Sequence, residues 1–421
     1  MGKTYILKKF GAGFPACHYV NFEKDPALSK IFEKNLEPKR IVEALEFYLG
    51  RSIDTKKDFV IFDEIQACPL ALTSLKYFQE ELPELHLCGA GSLLGIYLTP
   101  LSFPVGKVDM LTMRPLSFEE FLLAVEDERG LNAFRAYHEG KEVLEIAHEH
   151  LWEQLKYYFI VGGMPEAVSV FRKKKGSLFE AFTEVRKKQR ELLLAYYADI
   201  AKHSGKVNAL HIERVLKSIP MQLQHTQDGM TGKFKFKGVI PGVSHYQRLA
   251  GAIDWLEAAG LILKVSIANS GHLPSRAYAK ENAFKLLLFD IGMLGSMSGL
   301  SPHMILEYDY GSFKGFFAES FAAQEMMVEQ DLELFCWMEK SSELEFLREW
   351  QGKAIPIEVK SGSNTRSKSL KVFNEKYHPF CRIILSGKPY NMGGDGTLIH
   401  LPLYLARHIN DFIEMGSKDR G

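Results

Sequence analysis

The stretch of residues 58–65, DFVIFDEI, limits what this chain can become more than any other. It is apolar without interruption and closes on two acids, so it has no polar face to give to water. Such a run reads as a strand covered on both faces, the situation of a strand inside a parallel sheet. Its neighbours fit. Residues 18–23 (HYVNFE) read as a short strand, helical spacing follows over 27–49, and a helix over 70–80 leads to a buried strand at 85–88. A further strand is predicted over 107–113. Strands alternating with helices imply a parallel α/β layer.

From Ser117 to about Lys202 the spacing turns helical, broken at Gly162-Gly163-Met164-Pro165. Residues 206–268 read as helices followed by a strand, with an amphipathic helix over 244–259 and a strand over 261–267, a winged-helix-like arrangement. After about Tyr308 the order becomes helix (313–329), three strands (332–338, 344–349, 354–360), helix (367–377) and strand (381–385). Gln351-Gly352 forms the tight turn between the second and third strands. At 421 residues the chain is too long for one ordinary core. The expected segments are 1–115, an α/β core; 116–204, a helical lid; 205–307, the connector; and 308–421, a separate α/β unit.

Lys and Arg total 52, as do Asp and Glu, so no overall field draws the chain to nucleic acid or to a lipid surface. Five scattered cysteines without CxxC spacing argue against both a disulfide framework and a zinc site. No apolar stretch approaches the roughly 18 residues of a membrane span, and the N-terminus lacks the form of a secretory signal. A cytoplasmic protein with no membrane partner is expected.

Gly2-Lys3-Thr4 opens a helix-compatible stretch. In a phosphate-binding loop the Lys reaches the β- and γ-phosphates, the Thr hydroxyl binds Mg²⁺, and backbone N–H groups cradle the anion. Asp63 and Glu64 end the buried strand, where the first can hold the Mg²⁺ water shell and the second can orient or deprotonate an attacking water. The bland alternative is that the two acids only solvate a turn. Ser92 follows the next strand, where a polar side chain can sense the γ-phosphate.

The series GKT, FVIFDEIQACP, GAGSLLG, PVGKVDMLTMRPLSFEEFL and FIVGGMPEAV resembles a prokaryotic family of AAA-type P-loop ATPases with a C-terminal domain of unknown function. The resemblance runs over nearly the whole chain. It implies ATP and Mg²⁺ as cofactors, with Gly2, Lys3 and Thr4 binding nucleotide, Thr4 and Asp63 holding the metal, and Lys3, Glu64 and Ser92 serving hydrolysis. An arginine role in relatives falls here to Lys107 or Arg114. Only the end of the G-x-x-x-x-G-K-[ST] loop is present, so the first strand of the core is expected to be missing and the chain to be impaired as an ATPase. An oligomer is compatible with this reading.

In the C-terminal segment, Glu358 and Lys360 lie two apart on a strand and share a face. Glu345 lies on the preceding strand and Glu319 on the helix before it. An acid on one strand with E-x-K on the next is the layout of PD-(D/E)xK nucleases, in which two carboxylates hold Mg²⁺ and the Lys works on water or phosphate. The element order is similar to that restriction-endonuclease-like fold, and in the family resembled Glu319 would be an accessory ligand. The competing view is a solvated hairpin face. The fold class expected is therefore α/β: a parallel-sheet AAA-type core without its first strand, a helical lid, a winged-helix-like connector and a restriction-endonuclease-like domain. The function expected is Mg²⁺-dependent ATP hydrolysis. The alternative is a nucleic-acid-binding or metal-dependent nuclease protein regulated by ATP, with DNA or another protein engaged through the C-terminal half. A third reading is an interaction protein in which both sites are dead.

Overall fold

The computed structural model describes residues 2–91, 106–139, 141, 143–223, 232–329, 332–393 and 396–418. The chain divides into two compact units, Met1–Met113 with Ala258–Gly260, and Arg114–Glu257 with Leu261–Gly421.

The first unit is a parallel three-stranded sheet in the order β1 (Cys17–Asn21), β2 (Phe59–Asp63), β3 (His86–Ala90). Its longer helices are α1 (Lys3–Gly11), α2 (Pro38–Leu49) and α3 (Pro69–Glu81). Every residue of β2 is buried, as its apolar run demands. Alternation divides the strand. Val60 and Phe62 enter the core with Val20, Ile41, Leu45 and Leu75, and the Phe62 ring packs edge-on against Phe22, Phe32 and Phe78. Phe59 on the opposite face packs against Phe10 of α1. Burying a large side chain of this kind contributes roughly 1.5–3 kcal/mol. Pro38 and Pro69 each stand in the first turn of a helix, where the missing N–H costs nothing. The strand predicted over 107–113 does not form. Its Met110 and Leu111 are exposed, and no described strand pairs with the segment.

The second unit begins with helices α4 (Phe118–Ala124), α5 (Glu128–His138), α6 (Glu145–Val161), α7 (Pro165–Lys174), α8 (Leu178–Ser204) and α9 (Lys206–Leu223). Ser117 and Glu120 form a capping box at the start of α4. The Gly162-Gly163 break has a steric reason. Gly162 has φ 72°, and a Cβ on Gly163 would lie 2.2 Å from the Leu116 carbonyl oxygen. Leu116 N–H donates to the Gly163 carbonyl at 2.7 Å. The predicted helix over 244–259 resolves into a 3₁₀ turn, Tyr246–Arg248, and α10 (Ala250–Ala258). In the KFKFK segment the lysines are exposed while Phe234 is buried, the pattern of a solvated basic face.

One eight-stranded sheet organises the rest, in the order β10-β11-β9-β8-β7-β6-β4-β5. The strands are β4 (Ile262–Ala268), β5 (Ala279–Leu288), β6 (Leu334–Glu339), β7 (Ser342–Trp350), β8 (Lys353–Val359), β9 (Arg382–Ser386), β10 (Asn391–Met392) and β11 (Leu398–Pro402). Helices α11 (Ile291–Met297), α12 (Phe313–Met326), α13 (Lys368–Tyr377) and α14 (Ile409–Lys418) interleave with them. Gln351 and Gly352 both have positive φ, 46° and 72°, as a two-residue hairpin turn requires. The β4–β5 hairpin is not a free wing, because β4 runs parallel to β6, pairing Val265 with Leu334. The expected boundary at 307/308 thus cuts through a single sheet, and the boundary at 204/205 falls inside the second unit. Among the described residues no helix is long and apolar enough to cross a membrane.

Candidate functional site

The first polar cluster lies where α1 starts and β2 ends. Gly2 takes φ 72°, and α1 begins at Lys3 without a side-chain cap. The first-turn N–H groups therefore have no acceptor within their own helix. Asp63 is buried, and its Oδ2 accepts from Thr4 Oγ1 at 2.9 Å, Tyr19 Oη at 2.7 Å and Asn21 Nδ2 at 3.4 Å. Asn21 Nδ2 also reaches Tyr19 Oη at 3.1 Å, and the Lys8 ammonium stands 3.7 Å from the Tyr19 ring centroid. Burial, followed by the bond to Asp63, pushes the Tyr19 phenol up, so it serves as a donor. Glu64 adopts a left-handed backbone, φ 50° and ψ 43°, which turns its side chain out of the strand's alternation, and Gln66 Nε2 donates to its Oε2 at 2.6 Å.

Gly2, Lys3, Thr4, Asp63 and Glu64 are all on the first unit, and Thr4 and Asp63 touch. Ser92 lies outside the described residues. Lys107 pairs with Glu80 at 3.7 Å. Arg114 opens the second unit, its guanidinium pKa lowered by burial. Tyr19 and Asn21 were missed from sequence. The register pairing Asn21 with Asp63 puts their side chains on one face, so two polar residues two apart on the neighbouring strand were the available signal.

The oxygen pair suits Mg²⁺. Neighbouring ligands of an octahedral ion with bonds of about 2.0–2.1 Å stand ~3 Å apart. Thr4 Oγ1 and Asp63 Oδ2 already stand 2.9 Å apart.

The second cluster is inside the eight-stranded sheet. Glu319 comes from α12, Glu343 and Glu345 from β7, Glu358 from β8, and Lys360 from the residue after Val359, the last of β8. Glu319, Glu345 and Glu358 are buried, so the solvated-hairpin view fails for them. Lys360 Nζ lies 2.5 Å from Glu358 Oε1, and Glu345 Oε2 accepts Val359 N–H at 2.9 Å. Burial, then the charges of Glu358 and Glu319, push the Glu345 carboxyl up to about 8. A residue not among the sequence-derived candidates completes the cluster. Lys285 of β5 is fully buried, with Nζ 2.8 Å from Glu319 Oε1 and 2.5 Å from Glu343 Oε1. Its pKa lies well above the ordinary value although burial opposes this, because Glu319 and the neighbouring carboxylates hold the ammonium.

Mg²⁺ does not fit this arrangement as it stands. The four carboxylates do not gather ligand atoms within 4.8 Å of one another, and the Lys285 ammonium supplies the positive charge between two of them.

Residues 1–122 match the family model described as AAA domain. Residues 152–304 and 314–404 match models described as domains of unknown function, DUF8612 and DUF4143. The match over 1–122 supports a P-loop AAA-type ATPase. No curated protein matches the chain. The solved Walker-type ATPase PABY2304 of Pyrococcus abyssi is similar at 14% identity, covering 70% of this chain and 87% of its own, with a TM-score of 0.42.

Proposed function

We propose that the chain binds ATP with Mg²⁺ at the first unit and hydrolyses it. The observation that carries this is the 2.9 Å hydrogen bond from Thr4 to Asp63, which joins the start of α1 to the end of β2 within the segment that matches the AAA domain. The uncapped first turn of α1 offers N–H donors to phosphate, and the positive end of the helix dipole favours the anion. Lys3 neutralises phosphate charge, and Glu64, set off the strand by its left-handed backbone, orients the attacking water. Thr4 and Asp63 hold Mg²⁺, which when bound neutralises charge on the phosphate oxygens. Tyr19 and Asn21 fix the Asp63 carboxylate so that it need not reorganise.

The test is fluorescent-nucleotide binding with Mg²⁺ and phosphate release, comparing the full chain with Lys3→Ala, Thr4→Val and Asp63→Asn. Each variant is expected to weaken Mg²⁺-nucleotide binding at least about tenfold, the equivalent of ~1.4 kcal/mol. Equal binding by all four proteins would sink the assignment.

The rival reading is a winged-helix-like connector and a restriction-endonuclease-like domain that bind or cut DNA under ATP control. The order helix, three antiparallel strands, helix, strand over 313–386 and the convergence of Glu319, Glu345, Glu358 and Lys360 favour that architecture. The buried Lys285 argues against cleavage. Divalent-metal-dependent DNA cleavage, lost in Lys360→Ala and retained in Lys3→Ala, decides for the rival.

A further inference from the structure

A different trio, on the outside of the second unit, gathers metal-ligating atoms. His138 ends α5, His408 ends a 3₁₀ turn (Leu403–His408), and Asp411 lies in the first turn of α14. Asp411 Oδ2 stands 2.9 Å from His138 Nε2 and 3.1 Å from His408 Nδ1. All three ligand atoms lie within 4.8 Å of one another. In a tetrahedral site with bonds of about 2.0–2.1 Å, ligand atoms stand ~3.2–3.4 Å apart. The two N···O contacts thus lie within a few tenths of an ångström of coordination spacing. The scaffold is rigid: Phe134 and Tyr404 are buried, and the Phe134 ring packs edge-on against His408.

Proton placement favours an ion over hydrogen bonds alone. A carboxylate only accepts, so a neutral His408 bonded to Asp411 carries its proton on Nδ1. That leaves Nε2 as a bare lone pair, buried, without a hydrogen-bond partner, and aimed at the Glu119 carboxylate 4.0 Å away. Two like-signed groups face each other. Arg135 stands 3.2 Å and Arg407 3.8 Å from the Glu119 carboxylate. A cation on Nδ1 reverses the arrangement: the proton moves to Nε2 and points at Glu119, the carboxylate–histidine–metal geometry that supports metal-bound imidazoles.

We propose that His138 Nε2, His408 Nδ1 and Asp411 Oδ2 form a three-ligand site for a borderline divalent transition-metal ion of the zinc class, completed by water. Two imidazole nitrogens and one oxygen select such an ion over Mg²⁺ or Ca²⁺. The ion ties the end of α5 to the start of the last helix.

The experiment uses the full chain stripped with chelator, titrated with Zn²⁺ by calorimetry and with Co²⁺ by visible absorption, with melting temperature recorded alongside. One Zn²⁺ per chain, a visible Co²⁺ band and a raised melting temperature are expected. Asp411→Asn and His138→Gln alter half-exposed side chains and should each weaken binding more than tenfold and abolish the temperature rise. Glu119→Gln should weaken binding about 10–100-fold, the usual consequence of losing an outer-sphere partner. Absence of a Co²⁺ band in the unmodified chain overturns the proposal, as does unchanged binding in Asp411→Asn and His138→Gln.

Discussion

Glu325 of α12 offers a test of electrostatics in the second unit. Its Oε1 accepts Phe118 N–H at 2.9 Å, at the first turn of α4, while Oε2 is buried without a partner. Burial foremost pushes its carboxyl up to about 8 from 4.5, with Glu120 and Glu119 adding to the rise and Phe118 and Arg407 opposing it. Below pH 4.5 the group is protonated folded or unfolded and makes no pH-dependent difference. Between 4.5 and about 8 the unfolded chain releases the proton and the folded chain keeps it, so stability falls as pH rises, and the loss is complete above about 8. The span of about 3.5 pH units, at ~1.36 kcal/mol for each unit, sets a ceiling of about 5 kcal/mol. Glu325→Gln keeps the acceptor for Phe118 and cannot ionise. Urea unfolding of both proteins from pH 5 to pH 8 should show the variant gaining on the parent by about 3–4 kcal/mol across the range, since titrations common to both cancel. All four tryptophans (Trp152, Trp255, Trp337, Trp350) lie in the second unit, so their fluorescence reports it selectively. Parallel stability profiles for parent and variant would refute the reasoning.

Lys285→Met should destabilise the second unit by about 3–5 kcal/mol, because it strands Glu319 and Glu343 without their shared cation. Adding Glu319→Gln to it should recover part of that loss in the urea midpoint, since one uncompensated charge is removed. Gly163→Ala puts a Cβ 2.2 Å from the Leu116 carbonyl oxygen, within the backbone pair that joins these segments. It should lower stability by about 1–3 kcal/mol, read as a fall in melting temperature.

The three strands of the first unit were legible to within two or three residues because the apolar run of β2 admits one interpretation and the helical spacings on either side of it bracket the other two. The strand predicted over 107–113 failed because a strand exists only with a partner, and no described strand pairs with it. The order α12-β6-β7-β8-α13-β9 was readable because Gln351-Gly352 fixed a hairpin and the rest followed by spacing. The union of β4 and β5 with that sheet was not, since Val265 pairs with Leu334 across a separation that local pattern does not encode. The sites divide the same way. Thr4 and Asp63, or Glu345, Glu358 and Lys360, could be singled out by residue type and spacing. Lys285 is a lone charge within an apolar stretch, and only the sheet places it against Glu319.

Read from β5 to β10, the large sheet lists its strands almost in the order in which they are synthesised: β5-β4-β6-β7-β8-β9-β11-β10. Chains emerge from the ribosome N-terminus first, at about 5–20 residues per second. In that order the β4–β5 hairpin comes first, and each later strand up to β9 takes its place at an open edge of the strands before it. No finished strand has to part to admit a latecomer. At the far end β11 pairs with β9, and the two-residue β10 leaves little edge for a neighbouring chain to pair with.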